Sequence, residues 1–159
     1  MQLITNYLQN LERLKAKVPD FAREAILNNR GIIVNLVKFD QLSQGKNSYG
    51  QPLSWAKGTG YYSPYTQAYA DRDGVRTPKI QGAPYNFSYS GETLDNMNIE
   101  FVDTSNFTYK INTVRFKQDL LEVIYGEIFE LTDEHNEWVN KNIIEPYVAD
   151  KIQQEMFNF

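Results

Sequence analysis

The chain has 159 residues, with 16 Lys and Arg against 20 Asp and Glu, one His, no Cys and a net charge of −4. That length supports one hydrophobic core. The lack of Cys excludes a disulfide framework, a thiolate zinc site and a cysteine nucleophile, and the single His135 excludes any site built on two imidazoles.

The acidic balance argues against a phosphate-coating DNA binder. No apolar run approaches the roughly 18 residues of a membrane span, and the start, Met1 to Asn6, lacks the pattern of a secretory signal. At 42% hydrophobic and 23% charged the composition is that of a globular chain. The expectation from composition is a soluble intracellular domain. Its odd part is the middle: six of the nine Gly, four of the six Pro and seven of the eleven Tyr lie between Gly45 and Tyr89.

In chain order, Leu3, Ile4, Tyr7, Leu8, Leu11 and Leu14 recur at three- and four-residue spacings and predict a helix with one apolar face. Pro19 reads as the first position of a second helix, where a missing N–H costs nothing. Val18, Phe21, Ala22, Ala25, Ile26, Ile32, Ile33, Leu36 and Val37 extend the stripe, with Asn28 to Gly31 as a weak point that this helix crosses. A break at Gly31 and a strand from Ile32 to Phe39 is the alternative.

From Ser43 to Pro52 the residues are turn formers. Between Ser48 and Ala70 the one charged residue is Lys57. Ser63 and Pro64 predict the start of a short helix that Gly74 ends. Ser90-Gly91 introduces a turn, and Glu92 to Met97 reads as one helical turn. Asn98 to Val102 and Phe107 to Ile111 alternate apolar and polar residues around Asp103-Thr104-Ser105-Asn106, the pattern of a β-hairpin in which Phe101 and Tyr109 are neighbours. Phe116 to Tyr125 predicts a helix that Gly126 terminates. Thr132 caps a last helix, with Asp133 and Glu134 favourable against its dipole. Trp138, Val139, Ile143, Ile144, Tyr147, Val148 and Ile152 form its apolar side, and Pro146 should kink or split it.

The predicted class is therefore α+β: a small antiparallel sheet packed with N- and C-terminal helices, with a long Gly/Pro/Tyr-rich excursion between. The predicted organisation is a single domain over 1–159, comprising helices over 1–42, an extended aromatic arm over 43–89, the hairpin and short helix over 90–131, and the C-terminal helix over 132–159.

Motifs for chemistry are weak. Asp71-Arg72-Asp73-Gly74 fails as a calcium loop, because Tyr69 and Ile80 occupy the positions of its first and last ligands. Gly58-Thr59-Gly60 lacks the strand before it and the GK[ST] after it that a phosphate loop needs. Glu122, Glu127 and Glu130 are the acids nearest a muralytic reading, but scattered Glu is weak support. His135, among Asp133, Glu134, Asn136 and Glu137, reads as a solvated surface residue. No cofactor or metal ligand set is predicted.

Tyr49, Trp55, Tyr61, Tyr62, Tyr65, Tyr69, Tyr85 and Tyr89 are the candidate interaction residues. Tyr and Trp bury much area at little entropic cost and keep a polar handle, which suits protein interfaces. The alternative is a nucleic-acid-contacting module, stacking bases on these rings with Arg72, Arg76 and Lys79 on phosphate. It is disfavoured by the scarcity of cations among the aromatics.

An ordered set of motifs runs from about Phe39 to the C-terminus. It comprises Gln41-Leu42, Gly45-Lys46, Gly50-Gln51-Pro52-Leu53, Tyr62-Ser63-Pro64-Tyr65-Thr66, Asp71-Arg72-Asp73-Gly74, Tyr89-Ser90-Gly91-Glu92-Thr93-Leu94-Asp95-Asn96-Met97 and Ile124-Tyr125-Gly126-Glu127-Ile128-Phe129-Glu130-Leu131-Thr132. The set resembles the small tail-completion and virion-morphogenesis proteins of tailed bacteriophages, especially forms from phages and prophages of Bacteroidetes-type bacteria. Two positions depart: Glu130 stands where the family-like residue is Gly, and Ser90 where it is Thr or its equivalent. The resemblance implies a non-enzymatic structural protein of the virion neck, head–tail junction or tail end, assembled in the bacterial host cytoplasm. Implied partners are a homo-oligomeric ring and other neck or tail proteins, with no membrane, and with nucleic acid touched only by lining a channel.

Overall fold

A computed structural model describes residues 2–53, 92–103 and 108–157. Six α-helices lie in them: α1 (Gln2–Asn28), α2 (Arg30–Asn35), α3 (Glu92–Asp95), α4 (Arg115–Tyr125), α5 (Asp133–Val139) and α6 (Glu145–Phe157). β1 (Asn98–Asp103) and β2 (Thr108–Asn112) form a two-stranded antiparallel sheet. The class is α+β, as predicted.

α1 runs unbroken through Pro19, which corrects the expectation of a second helix starting there. Pro19 forfeits one backbone bond and crowds the preceding turn, at a cost of about 3 kcal/mol. What offsets this is burial of apolar side chains on both sides of it, Leu14 before and Phe21 and Ala22 after. Two exposed ion pairs add little energy but a fixed alignment. Lys17 pairs with Glu155 at 2.7 Å before the proline and Glu24 with Lys151 at 3.3 Å after it. The chain on either side is therefore held to the same antiparallel helix, α6, and Asn28 Nδ2 donates to the Tyr147 hydroxyl further along the seam.

The weak point shrinks to one residue. Asn29 leaves helical geometry, with its side-chain amide donating to the Ala25 carbonyl at 2.9 Å. The stripe then resumes in α2 as helix, not as the alternative strand, and widens into a π-helical turn over Leu36–Gln41 and a tight 3₁₀ turn over Leu42–Gln44. Gly45 ends the run at φ 65°, a conformation that suits glycine.

The predicted hairpin forms, and its register, which the sequence leaves open, places Phe101 opposite Tyr109 and Ile99 opposite Ile111. The two rings lie tilted, 6.3 Å apart. Arg23 of α1 sits 5.0 Å above the Phe101 ring, so the sheet is fastened to the long helix by a cation–π contact. α4 ends at Gly126, φ 75°, again as predicted.

Thr132 caps α5 by accepting from the His135 N–H at 3.2 Å. Pro146 leaves the last helix continuous and changes only its bonding pattern. The bonding widens to a π-helical turn over Asn140–Ile144, where the Glu145 N–H reaches back to the Asn140 carbonyl, and α6 follows. That wide turn accommodates a proline without breaking the rod.

One apolar cluster draws on every part. Ala25 and Ile26 come from α1, Ile33 and Val37 from α2 and its extension, Leu94 and Met97 from around α3, Ile99 and Ile111 from the sheet, and Val139 and Ile143 from the last helix. Ile128 and Phe129, both almost wholly buried, sit in the middle of it. The predicted apolar sides are correct only in part. Tyr7, Leu8 and Leu11 of α1 and Trp138 of α5 are exposed.

Candidate contact site

The aromatic segment starts from a turn that the fold fixes in place. Residues 45–53 form a narrow loop, closed by a bridge between Lys46 and Pro52 and by the Leu53 N–H on the Gly45 carbonyl at 2.7 Å. Asn47 organises its tip. Its Oδ1 accepts from the N–H groups of Tyr49 at 3.0 Å and Gln51 at 2.9 Å, the local bonding that makes Asn a turn residue. Gly50 holds φ 72°, which a residue with a Cβ adopts only under strain.

This loop is stitched to the 126–132 segment by reciprocal bonds. The Ser48 N–H donates to the Glu127 carbonyl at 3.0 Å, and the Ser48 hydroxyl accepts from the Glu130 N–H at 3.0 Å. Beneath them lies Gln41, fully buried. Its Nε2 donates to the Glu130 carbonyl at 2.8 Å, and its Oε1 accepts from the Thr132 N–H at 3.3 Å and from His135 Nδ1 at 2.9 Å. Because the amide nitrogen is committed to a carbonyl, the oxygen faces His135, and Nδ1 must carry the proton. His135 Nε2 lies 4.0 Å from the Asp40 carboxylate.

His135 is thus not the solvated residue that its acidic neighbours in sequence predict. Its side chain is 18% exposed and braces the root of the segment. The helix that Thr132 caps turns the ring inward onto Gln41, and neighbours in sequence cannot reveal that.

Tyr49 is the one predicted interaction residue among those described. It is 67% exposed, and its hydroxyl donates to the Glu127 carboxylate. That bond, followed by the Glu127 charge, raises the Tyr49 pKa above its ordinary value. Trp55, Tyr61, Tyr62, Tyr65, Tyr69, Tyr85 and Tyr89 lie outside the described residues, as do Gly58 to Gly60, Asp71 to Gly74, Arg76 and Lys79.

The three glutamates are spread along the surface in different roles. Glu122 accepts from Gln118, Glu127 from Tyr49, and Glu130 contributes its backbone to the root. Among the described residues no group of three or more His, Asp or Glu is arranged to hold a metal ion. No helix among them is long and apolar enough to cross a membrane.

A cleft of about 310 Å³ opens beside the root, between Tyr109 to Ile111 of β2 and Phe129 to Leu131. Burial alone pushes the Tyr109 hydroxyl up to about 12.

Gln41 and Ser48 are site residues that sequence reasoning missed. A signal existed for Gln41, which follows Val37 by four residues on a stripe that is otherwise apolar. A polar side chain at a core position implies partners. Ser48 sits in a run of turn formers and carries no such mark.

The arrangement is a brace, with a small exposed Tyr–Glu pair at its outer edge. It can hold a segment at a fixed angle to the core and present a phenol and a carboxylate to a partner. No family model, curated protein or solved structure matches the chain.

Proposed function

We propose that this chain is a structural protein of the neck, head–tail junction or tail end of a tailed bacteriophage, acting by ring assembly and protein contacts. The observation that carries this reading is the ordered motif series from Phe39 to the C-terminus, with the charge-poor, Tyr-rich run after Tyr49 as the contact surface. The geometry of the root supports it. Assembly gains most from a segment whose exit direction is set before binding, because less freedom is then lost at contact. Gln41, Ser48 and His135 fix the 45–53 loop from which that run continues in sequence.

Repeated moderate contacts in a closed ring need no single strong interface. The test is native mass measurement of the purified protein, followed by binding to purified tail tube or portal. A ring-sized species, or capture by either particle, supports the reading. A monomer that binds neither overturns it, and oligonucleotide binding with a steep salt dependence redirects it to the packaging or replication machinery.

A further inference from the structure

The ion pairs between α1 and α6 fix how far each helix extends. Glu24 lies by Lys151 and Lys17 by Glu155, so α6, whose described part stops at Phe157, reaches only to about the level of Lys15. The first thirteen or so residues of α1, about 18 Å of helix, extend beyond it. This overhang carries no charge from Gln2 to Leu11. Its apolar stripe, seated in the core further along at Ala25 and Ile26, is bare here: Tyr7 is 58% and Leu8 55% exposed, and Leu11 is exposed as well.

A second bare stripe lies on α4. That helix turns Leu121 and Tyr125 to the core and leaves Phe116, Leu120 and Val123 outside, with Phe116 78% and Val123 85% exposed. Both stripes are open in the same chain, so neither covers the other.

We infer that the α1 overhang of one copy docks along the α4 stripe of a second copy. The two stripes have the same spacing. Leu8 and Leu11 of α1 and Leu120 and Val123 of α4 each stand three residues apart, so in a parallel alignment they meet one for one over about 5 Å.

Charge selects that alignment. Lys15 continues the α1 stripe and falls toward the C-terminal end of α4, the negative end of its dipole. The reverse alignment turns Lys15 toward Arg115 and the positive end. A contact between two different patches is heterologous. Each copy offers one donor and one acceptor, and the chain of contacts closes into a ring if its rotation allows. The pairing rests on the ring-assembly reading above and names the surfaces that would make the ring.

The protein has no Cys, so cross-linking is clean. Leu8→Cys and Leu120→Cys replace exposed side chains, and circular dichroism checks that each variant keeps its helix content. Under mild oxidation, an equimolar mixture of the two is expected to give a covalent dimer as the main product, at least tenfold above either variant alone. Equal yield from the mixture and the single variants overturns the inference, and so does a dimer from Leu8→Cys alone, which is the mark of symmetric α1–α1 pairing. Light scattering on the unmodified protein separates the two readings. Oligomers without a mixed product overturn this pairing and leave ring assembly standing, a monomer at every concentration overturns this pairing, and one that also binds neither tail tube nor portal overturns both.

Discussion

A buried amide is stable only when each of its polar atoms is met, and Gln41 meets this with partners 89 to 94 residues away in sequence. Removing the amide leaves the Glu130 carbonyl, the Thr132 N–H and the His135 ring N–H without it, in a place that water does not reach freely. Gln41→Leu keeps most of the volume and should cost about 2–4 kcal/mol. His135→Ala should cost less, and the double variant less than the sum of the two, because both act through one bond. Urea unfolding midpoints measure this. A loss below about 0.5 kcal/mol for Gln41→Leu would show that the root is not held by this amide. Half of this site was legible in sequence. Thr132 announces itself as a cap because its role is local, whereas the partners of Gln41 depend on how two distant segments meet.

Helices and strands follow the same division. The hairpin and the helix-ending Gly126 were readable, because alternation and positive φ are local demands, whereas the strand register was not. Pro19 misled for a complementary reason: its local cost is real, but tertiary contacts on both sides exceed it. Those contacts predict a pH response. The Tyr147 hydroxyl, opposed by burial and aided by Lys151, holds the Glu24 carboxyl below its ordinary 4.5. A depressed carboxyl adds stability that is present above that ordinary value and is lost as the pH falls through the lowered one. Lys151 is raised above 10.5, first by its bond to Glu24, so its share is present below 10.5 and is lost as the pH climbs through the raised value. The α1–α6 seam is therefore complete between these limits. Tyr147→Phe should move the Glu24 titration midpoint up toward 4.5, read from its carboxyl carbon by NMR. An unmoved midpoint would assign the depression to Lys151 instead.

At the scale of the molecule, the described residues gather one core yet leave large apolar side chains outside it, among them Tyr7, Leu8, Phe116, Val123 and Phe157. Periodicity showed that α1 is amphipathic, but not which part of its stripe the core would use. That depends on where α6 stops relative to α1, a matter of helix lengths set against each other in space. An apolar surface of this extent stabilises the folded state further once another copy covers it, and the gain follows mass action: whatever binds only the native chain raises its melting temperature. Self-association therefore predicts that Tm rises with protein concentration, by about 2–4 °C per tenfold change for a chain of this size. Leu8→Glu places a charge on the bare stripe, at a side chain that is more than half exposed. It should leave the dilute Tm within about 1 °C while abolishing the rise. A Tm that stays flat over two decades of concentration would mean that the stripes do not pair between copies. A rise that survives Leu8→Glu would move the self-contact away from α1, with the aromatic run beyond Tyr49 as the next surface to alter.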